Sequence, residues 1–210
     1  MILAIWGPVL KRDLLGETRE EDKFHSKEEL RERIKLEIKK QGEKVNIWNL
    51  DVSLVEDLSD LFKGLCGNVK SLDLSGWNTS NVENMSGMFA YCENLKNLVL
   101  SNWETLGNVK NMSYMFYKCS SLESLILSSW NNTKVEDMFS MFYGCTNLKS
   151  LALTSFDTSN VNDMSLMFAN CKNLESLDLS NWDTSNVKDM IGIFDSCPAP
   201  YKVVNQIIKK

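Results

Sequence analysis

Two alternations of apolar and polar residues share one period along most of the chain. The segment 71–75 reads Ser-Leu-Asp-Leu-Ser, and 97–101, 124–128, 150–154 and 176–180 repeat its pattern. Alternation with period two predicts a short half-buried strand. Its inward residues are Leu72 and Leu74, Leu98 and Leu100, Leu125 and Leu127, Leu151 and Leu153, and Leu177 and Leu179. Between strands, Val82, Met85, Met88, Phe89 and Cys92 fall at i, i+3, i+6, i+7 and i+10 and recur in every unit. That spacing predicts one face of a short helix, with Thr79, Ser80 and Asn81 ahead of it as capping residues.

The period itself is read from the cysteines. Cys66, Cys92, Cys119, Cys145, Cys171 and Cys197 are separated by 26, 27, 26, 26 and 26 residues. Trp77, Trp103, Trp130, Phe156 and Trp182 keep the same rhythm, and the single extra residue falls at Leu106–Gly107. A unit of this length cannot bury its own apolar face, so the units must stack and the ends must be covered. The predicted fold is therefore an α/β leucine-rich-repeat solenoid with one short strand and one short helix per coil of about 26 residues. An amino-terminal helical cap is legible as well. Ser26 and Glu29 form a capping box, Leu30, Ile34 and Ile38 follow at i, i+4 and i+8, and Gly42 marks the stop, which predicts a helix over 27–41. A degenerate repeat at 50–62 has Leu58 and Leu61 in place of methionine, and Pro198 and Pro200 end the pattern. The expected division is 1–45 for lead-in and cap, 46–197 for five to six coils, and 198–210 for a carboxy-terminal cap.

The units 156–171 (Phe-Asp-Thr-Ser-Asn-Val-Asn-Asp-Met-Ser-Leu-Met-Phe-Ala-Asn-Cys) and 182–197 resemble the BspA-type leucine-rich repeat, the DUF285 repeat of bacterial surface lipoproteins. The resemblance covers 50–197 and implies a bacterial, surface-exposed protein that adheres to a macromolecular partner. Unlike such relatives, this sequence shows no leader or lipid-attachment cysteine near its start.

Composition narrows the classes. With 210 residues, 43% of them apolar and 24% charged, the chain has ample material for a core. The longest apolar run, Met1–Leu10, is broken by Gly7 and Pro8 and is shorter than the roughly 20 residues of a membrane span. Lys11 and Arg12 follow that run, the reverse of a secretory leader. The expected location is thus cytoplasmic as the sequence stands, and the cell surface if an upstream leader has been removed. Residues 1–45 hold 11 basic and 10 acidic side chains, whereas 46–210 hold 12 and 18. An acidic repeat region without a basic stripe argues for a protein partner and against direct nucleic-acid binding.

Candidate chemistry is sparse. Six cysteines in one column predict a buried ladder of thiols, and no C-x-x-C pair suggests zinc. His25 lies in a charged lead-in without partners for catalysis. The column of Asp57, Asp137, Asp163 and Asp189 with Asn84 and Asn111 fits local capping better than calcium. No phosphate loop or nucleophile elbow occurs, so no catalytic residue, metal or cofactor is expected. Departures from the consensus at outward columns mark two candidate partner-binding faces. On the strand face the outward residues run Asp73, Val99, Ile126, Ala152 and Asp178, flanked by Lys96, Glu123, Lys149 and Glu175. On the helix side, as second choice, Tyr114, Tyr117, Phe139, Tyr143 and Leu166 replace smaller residues. Strand propensity and packing between coils account equally well for the two sets. The leading reading is a non-enzymatic protein-interaction module. The alternative is a cytosolic inhibitor or decoy, of immunity or anti-defence type, that blocks a nucleic-acid-acting enzyme.

Overall fold

The computed structural model describes residues 23–101, 103, 107–127 and 130–198. The lead-in before residue 23, Leu106 and the expected carboxy-terminal cap beyond 198 lie outside the described residues. Helix α1 (Lys27–Gln41) is followed by six short strands: β1 (Lys44–Asn46), β2 (Ser71–Asp73), β3 (Asn97–Val99), β4 (Ser124–Ile126), β5 (Ser150–Ala152) and β6 (Ser176–Leu177). Neighbours pair in parallel with one coil between them, Leu72 opposite Leu98 and Leu125 opposite Leu151. The strands form two three-stranded sheets, β1-β2-β3 and β4-β5-β6. They meet between Cys92 and Cys119, where the repeat is one residue longer than elsewhere. The coils stack as a leucine-rich-repeat solenoid.

Within each coil the expected short helix is replaced by a run of tight turns. The amides alternate in use. Those of Met85, Gly87, Phe89 and Tyr91 donate to the carbonyls of Asn111, Ser113, Met115 and Tyr117 one coil on. Those of Met88, Ala90 and Cys92 close turns onto Met85, Gly87 and Phe89. An α-helix would spend every amide on its own i−4 carbonyl and leave none for the neighbouring coil. The apolar spacing already carried this distinction: 82, 85, 88 and then 89, 92, 95 is a period of three, whereas an α-helix needs 3.6. A second parallel ladder results, running through Asp57, Asn84, Asn111, Asp137, Asp163 and Asp189. Each turn needs left-handed backbone, as at Gly87 (φ 62°) and Gly144 (φ 70°).

Identical columns stack through the interior. The rings of Phe62, Phe89, Phe116, Phe142, Phe168 and Phe194 lie nearly parallel with centroids 5.3–5.7 Å apart. Trp77, Trp103, Trp130 and Phe156 form a second column at 6.0–6.3 Å. The thiols of Cys119, Cys145 and Cys171 each donate to a phenylalanine carbonyl of the preceding coil at 3.1 Å. Burial pushes these thiols well above the ordinary range, which removes the reactive thiolate. Titration of the native protein with a thiol reagent is therefore expected to find at most Cys197, the half-buried end of the column, and to find all 6 after denaturation. A native count near 6 would refute the buried ladder, and a denatured count near zero would mean disulfides.

Helix α1 closes the amino-terminal edge. The Ser26 side chain accepts from the Glu29 amide, Gly42 ends the helix at φ 71°, and Leu30 and Ile34 are fully buried. In later coils the carbonyls equivalent to Leu61 and Lys63 take an amide from the coil before, as Met88 does from Phe62 and Tyr117 from Tyr91. The first coil has no predecessor, and the Arg31 guanidinium donates to the carbonyls of Asp60, Leu61 and Lys63 instead. One turn earlier, Lys27 Nζ reaches Asp57 Oδ2 at 2.7 Å and Ser59 Oγ at 2.8 Å. Two cations at i and i+4 on one helix thus stand in for the missing amides.

Candidate functional site

The strand side is built by period two. Leu125 and Leu151 point inward, so Ile126 and Ala152 between the leucines point outward. Ile126 is 78% exposed, more than any other large apolar side chain among the described residues. Together with Ala152, Asp178, Ser124, Ser150 and Thr154 it lines a groove of about 810 Å³ across β4, β5 and β6. The Ser180 amide and hydroxyl hold the Asp178 carboxyl below the usual range, so the rim carries a charge at neutral pH. Lys96, Glu123, Lys149 and Glu175 are all exposed just ahead of the strands, outside the lining of the groove. Half-buried Asp73 and exposed Val99 belong to the other sheet and do not line it. The nine strand-face residues therefore divide between two sheets.

On the turn side the aromatic candidates come together. Tyr114 packs edge-on against Phe139 at 4.9 Å and against Tyr117 at 5.4 Å, and Tyr117 stacks on Tyr143 at 5.0 Å. Leu166, half-buried, sits on the next coil, with its amide bonded to Ile191. Tyr91 joins the cluster edge-on to Tyr117 at 5.3 Å, and Lys118 Nζ lies 5.3 Å from the Tyr91 ring centre and 5.5 Å from that of Tyr117. Sequence reading missed both Tyr91 and Lys118. The signal was there: they share a column with Gly64 and Gly144, so a large side chain in that place is a departure. Burial, with Tyr91 and Tyr143 close by, raises the Tyr117 phenol. A second groove of about 540 Å³ runs between these rings and Asp60 and Lys63.

The acid column has a local role in every coil, since Asp57, Asn84, Asn111, Asp137, Asp163 and Asp189 each accept the amide two residues on. Asparagine serves as well as aspartate there. Burial raises the Asp137 carboxyl, and the neighbouring Asp163 adds to it. The folded protein thus holds that proton more tightly than the unfolded chain does, so ionisation opposes folding. The cost is full above the raised value and lapses as pH falls through it toward 3.8. Asp137→Asn is expected to raise the melting temperature at pH 7, with the gain fading as the buffer is taken below pH 3.8. A lower melting temperature at pH 7 would mean that the charge is structural. No cluster of three or more metal-ligating side chains occurs among the described residues, and the exposed His25 lies outside both grooves.

Comparison with known proteins agrees with this geometry. The profile of a family described as "Mycoplasma protein of unknown function, DUF285" matches residues 35–150 and again 123–207. No curated protein matches the chain. Among solved structures, a leucine-rich repeat protein from Eubacterium ventriosum is 19% identical, with a TM-score of 0.43, over 77% of this chain and 45% of its own. The present chain therefore spans under half the length of that protein. The T. pallidum leucine-rich repeat protein TpLRR is 18% identical, with a TM-score of 0.40, over 79% of this chain and 82% of its own.

Proposed function

The chain belongs to the DUF285 family of BspA-like leucine-rich repeats, and from that premise we propose that it is a non-enzymatic module that binds a protein partner through the strand face of its carboxy-terminal coils. The observation that carries this reading is Ile126. A large aliphatic side chain left 78% exposed at an outward strand position has no role in the core. It stands in a groove with Ala152 and Asp178, and Glu123 and Glu175 are exposed close by. An apolar centre with a polar rim is how recognition surfaces are built. The excess of acid at the rim favours a partner segment that offers one apolar side chain beside a basic one. In the same reading, 1–45 serve as lead-in and cap, 46–197 as the binding coils and 198–210 as the far cap.

The test is capture on immobilised protein, from a bacterial lysate and from a surface extract in parallel, with the native chain and Ile126→Glu side by side. A partner retained by the native chain and lost by the variant supports the reading. The extract that yields it also gives the compartment.

A further inference from the structure

The turn side carries three large side chains in places where the backbone resists them. Tyr91 (φ 62°), Tyr114 (φ 58°) and Lys118 (φ 56°) all sit in left-handed conformation. Equivalent positions in other coils are Gly64, Gly87, Gly144 and Gly192, also at positive φ. Holding a bulky residue there costs about 1–2 kcal/mol each relative to glycine. Core packing does not explain the expense, because Tyr91 and Tyr114 are 46% and 40% exposed. The two rings converge with Tyr117 on the groove of about 540 Å³, whose far wall holds Asp60 and Lys63 and whose floor includes Gly87. A methyl group on Gly87 would come within 2.3 Å of Asp60 Oδ1, so the floor is kept low by necessity.

We propose that Tyr91, Tyr114 and Tyr117, with Asp60 and Lys63, form a carbohydrate-binding site on the turn side, separate from the strand-face groove. Exposed tyrosine rings offer flat apolar faces on which the C–H face of a pyranose stacks. Beside them, Asp60 and Lys63 lie 3.1 Å apart as an exposed ion pair, supplying acceptors and donors together. Sugar hydroxyls both donate and accept, and so match the pair. A proline-rich peptide also docks in tyrosine-lined grooves, but its prolines lack an N–H and would leave the Asp60 carboxylate unmatched. A nucleic acid would meet that carboxylate with phosphate, while Lys63 is paired to it and Lys118 lies over the tyrosine rings.

The test titrates the full chain with cellohexaose, mannohexaose and N-acetylchitohexaose, each into the millimolar range, following the tyrosine ring protons by NMR, with a proline decapeptide as a parallel arm. At least one sugar is expected to saturate. Tyr91→Gly and Tyr114→Gly are each expected to weaken it by about tenfold, the order of one aromatic contact. Glycine relieves the left-handed strain, so both variants are expected to melt no lower than the native chain, which separates a recognition role from a structural one. Failure of all three sugars to saturate, saturation unaffected by either substitution, or binding of the decapeptide alone would each overturn the proposal. None of these outcomes depends on what Ile126→Glu does.

Discussion

Replacing Leu30 and Ile34 together by alanine is expected to take most of the stability of the fold with it, although both changes lie outside the repeats. Each side chain is fully buried, and both belong to the same continuous core as Leu58, Leu61 and Phe62 of the first coil. A buried leucine or isoleucine cut to alanine costs about 2–5 kcal/mol, so the pair is worth roughly 4–10 kcal/mol against a typical total of 5–15. Deleting residues 1–45 goes further, because it also removes Arg31 from the carbonyls of Asp60, Leu61 and Lys63, together with most of β1, which pairs with β2. That leaves an open edge of unpaired backbone beside exposed apolar side chains, which invites association. The truncated chain is expected to elute as aggregate, and the double variant to melt well below the native protein by circular dichroism. A monomeric truncation with an unchanged melting temperature would show that α1 is not a cap.

Ile126→Glu is expected to leave the melting temperature within a degree or two of the native value and to weaken partner binding by about 100-fold or more. The fold is spared because the side chain is already 78% exposed, while Leu125 and Leu127 on either side carry the core. Binding suffers because a carboxylate desolvated in an apolar interface without a partner costs several kcal/mol, and each 1.4 kcal/mol is about tenfold in affinity. The neighbouring acids Glu123, Glu175 and Asp178 add repulsion to the same point. Tyr114→Ala with Phe139→Ala is the control on the turn side. If the strand-face change leaves affinity untouched and the aromatic pair abolishes it, the partner sits on the turns. If neither matters, the strand-face reading falls and the caps or loops bind.

The stacking of coils was legible because one column of cysteines and one of tryptophans set the period without reference to secondary structure. The strands followed from alternation, and α1 from Ser26, Glu29 and Gly42, since each of these rests on local geometry. The turns were misread as helices because Val82, Met85 and Met88 satisfy both patterns over so short a span. Only the return to the same step at Phe89, Cys92 and Leu95 separates them, and the deciding bonds run between residues about 26 apart. Arg31 was illegible for the same reason, because its partners are carbonyls some 30 positions away. At the candidate sites, Ile126 could be placed outward by parity alone. Tyr91 could not, since only the sign of its φ angle turns a consensus departure into a ring beside Tyr117.

The meeting of the two sheets changes how the molecule bends. Strand pairing lapses between β3 and β4, yet the ring columns run on across the same step, with Phe89 on Phe116 at 5.5 Å and Trp103 on Trp130 at 6.0 Å. The turn ladder also continues, through Asn84, Asn111 and Asp137. A rod held along its interior and one flank but slit on the other has a preferred direction of flexure. The elastic compliance of this solenoid is therefore concentrated on the strand side, beside Ile126. A partner wedged against β4 would spend little work in opening the curvature there, whereas the same strain applied to the turns would be resisted by every coil at once.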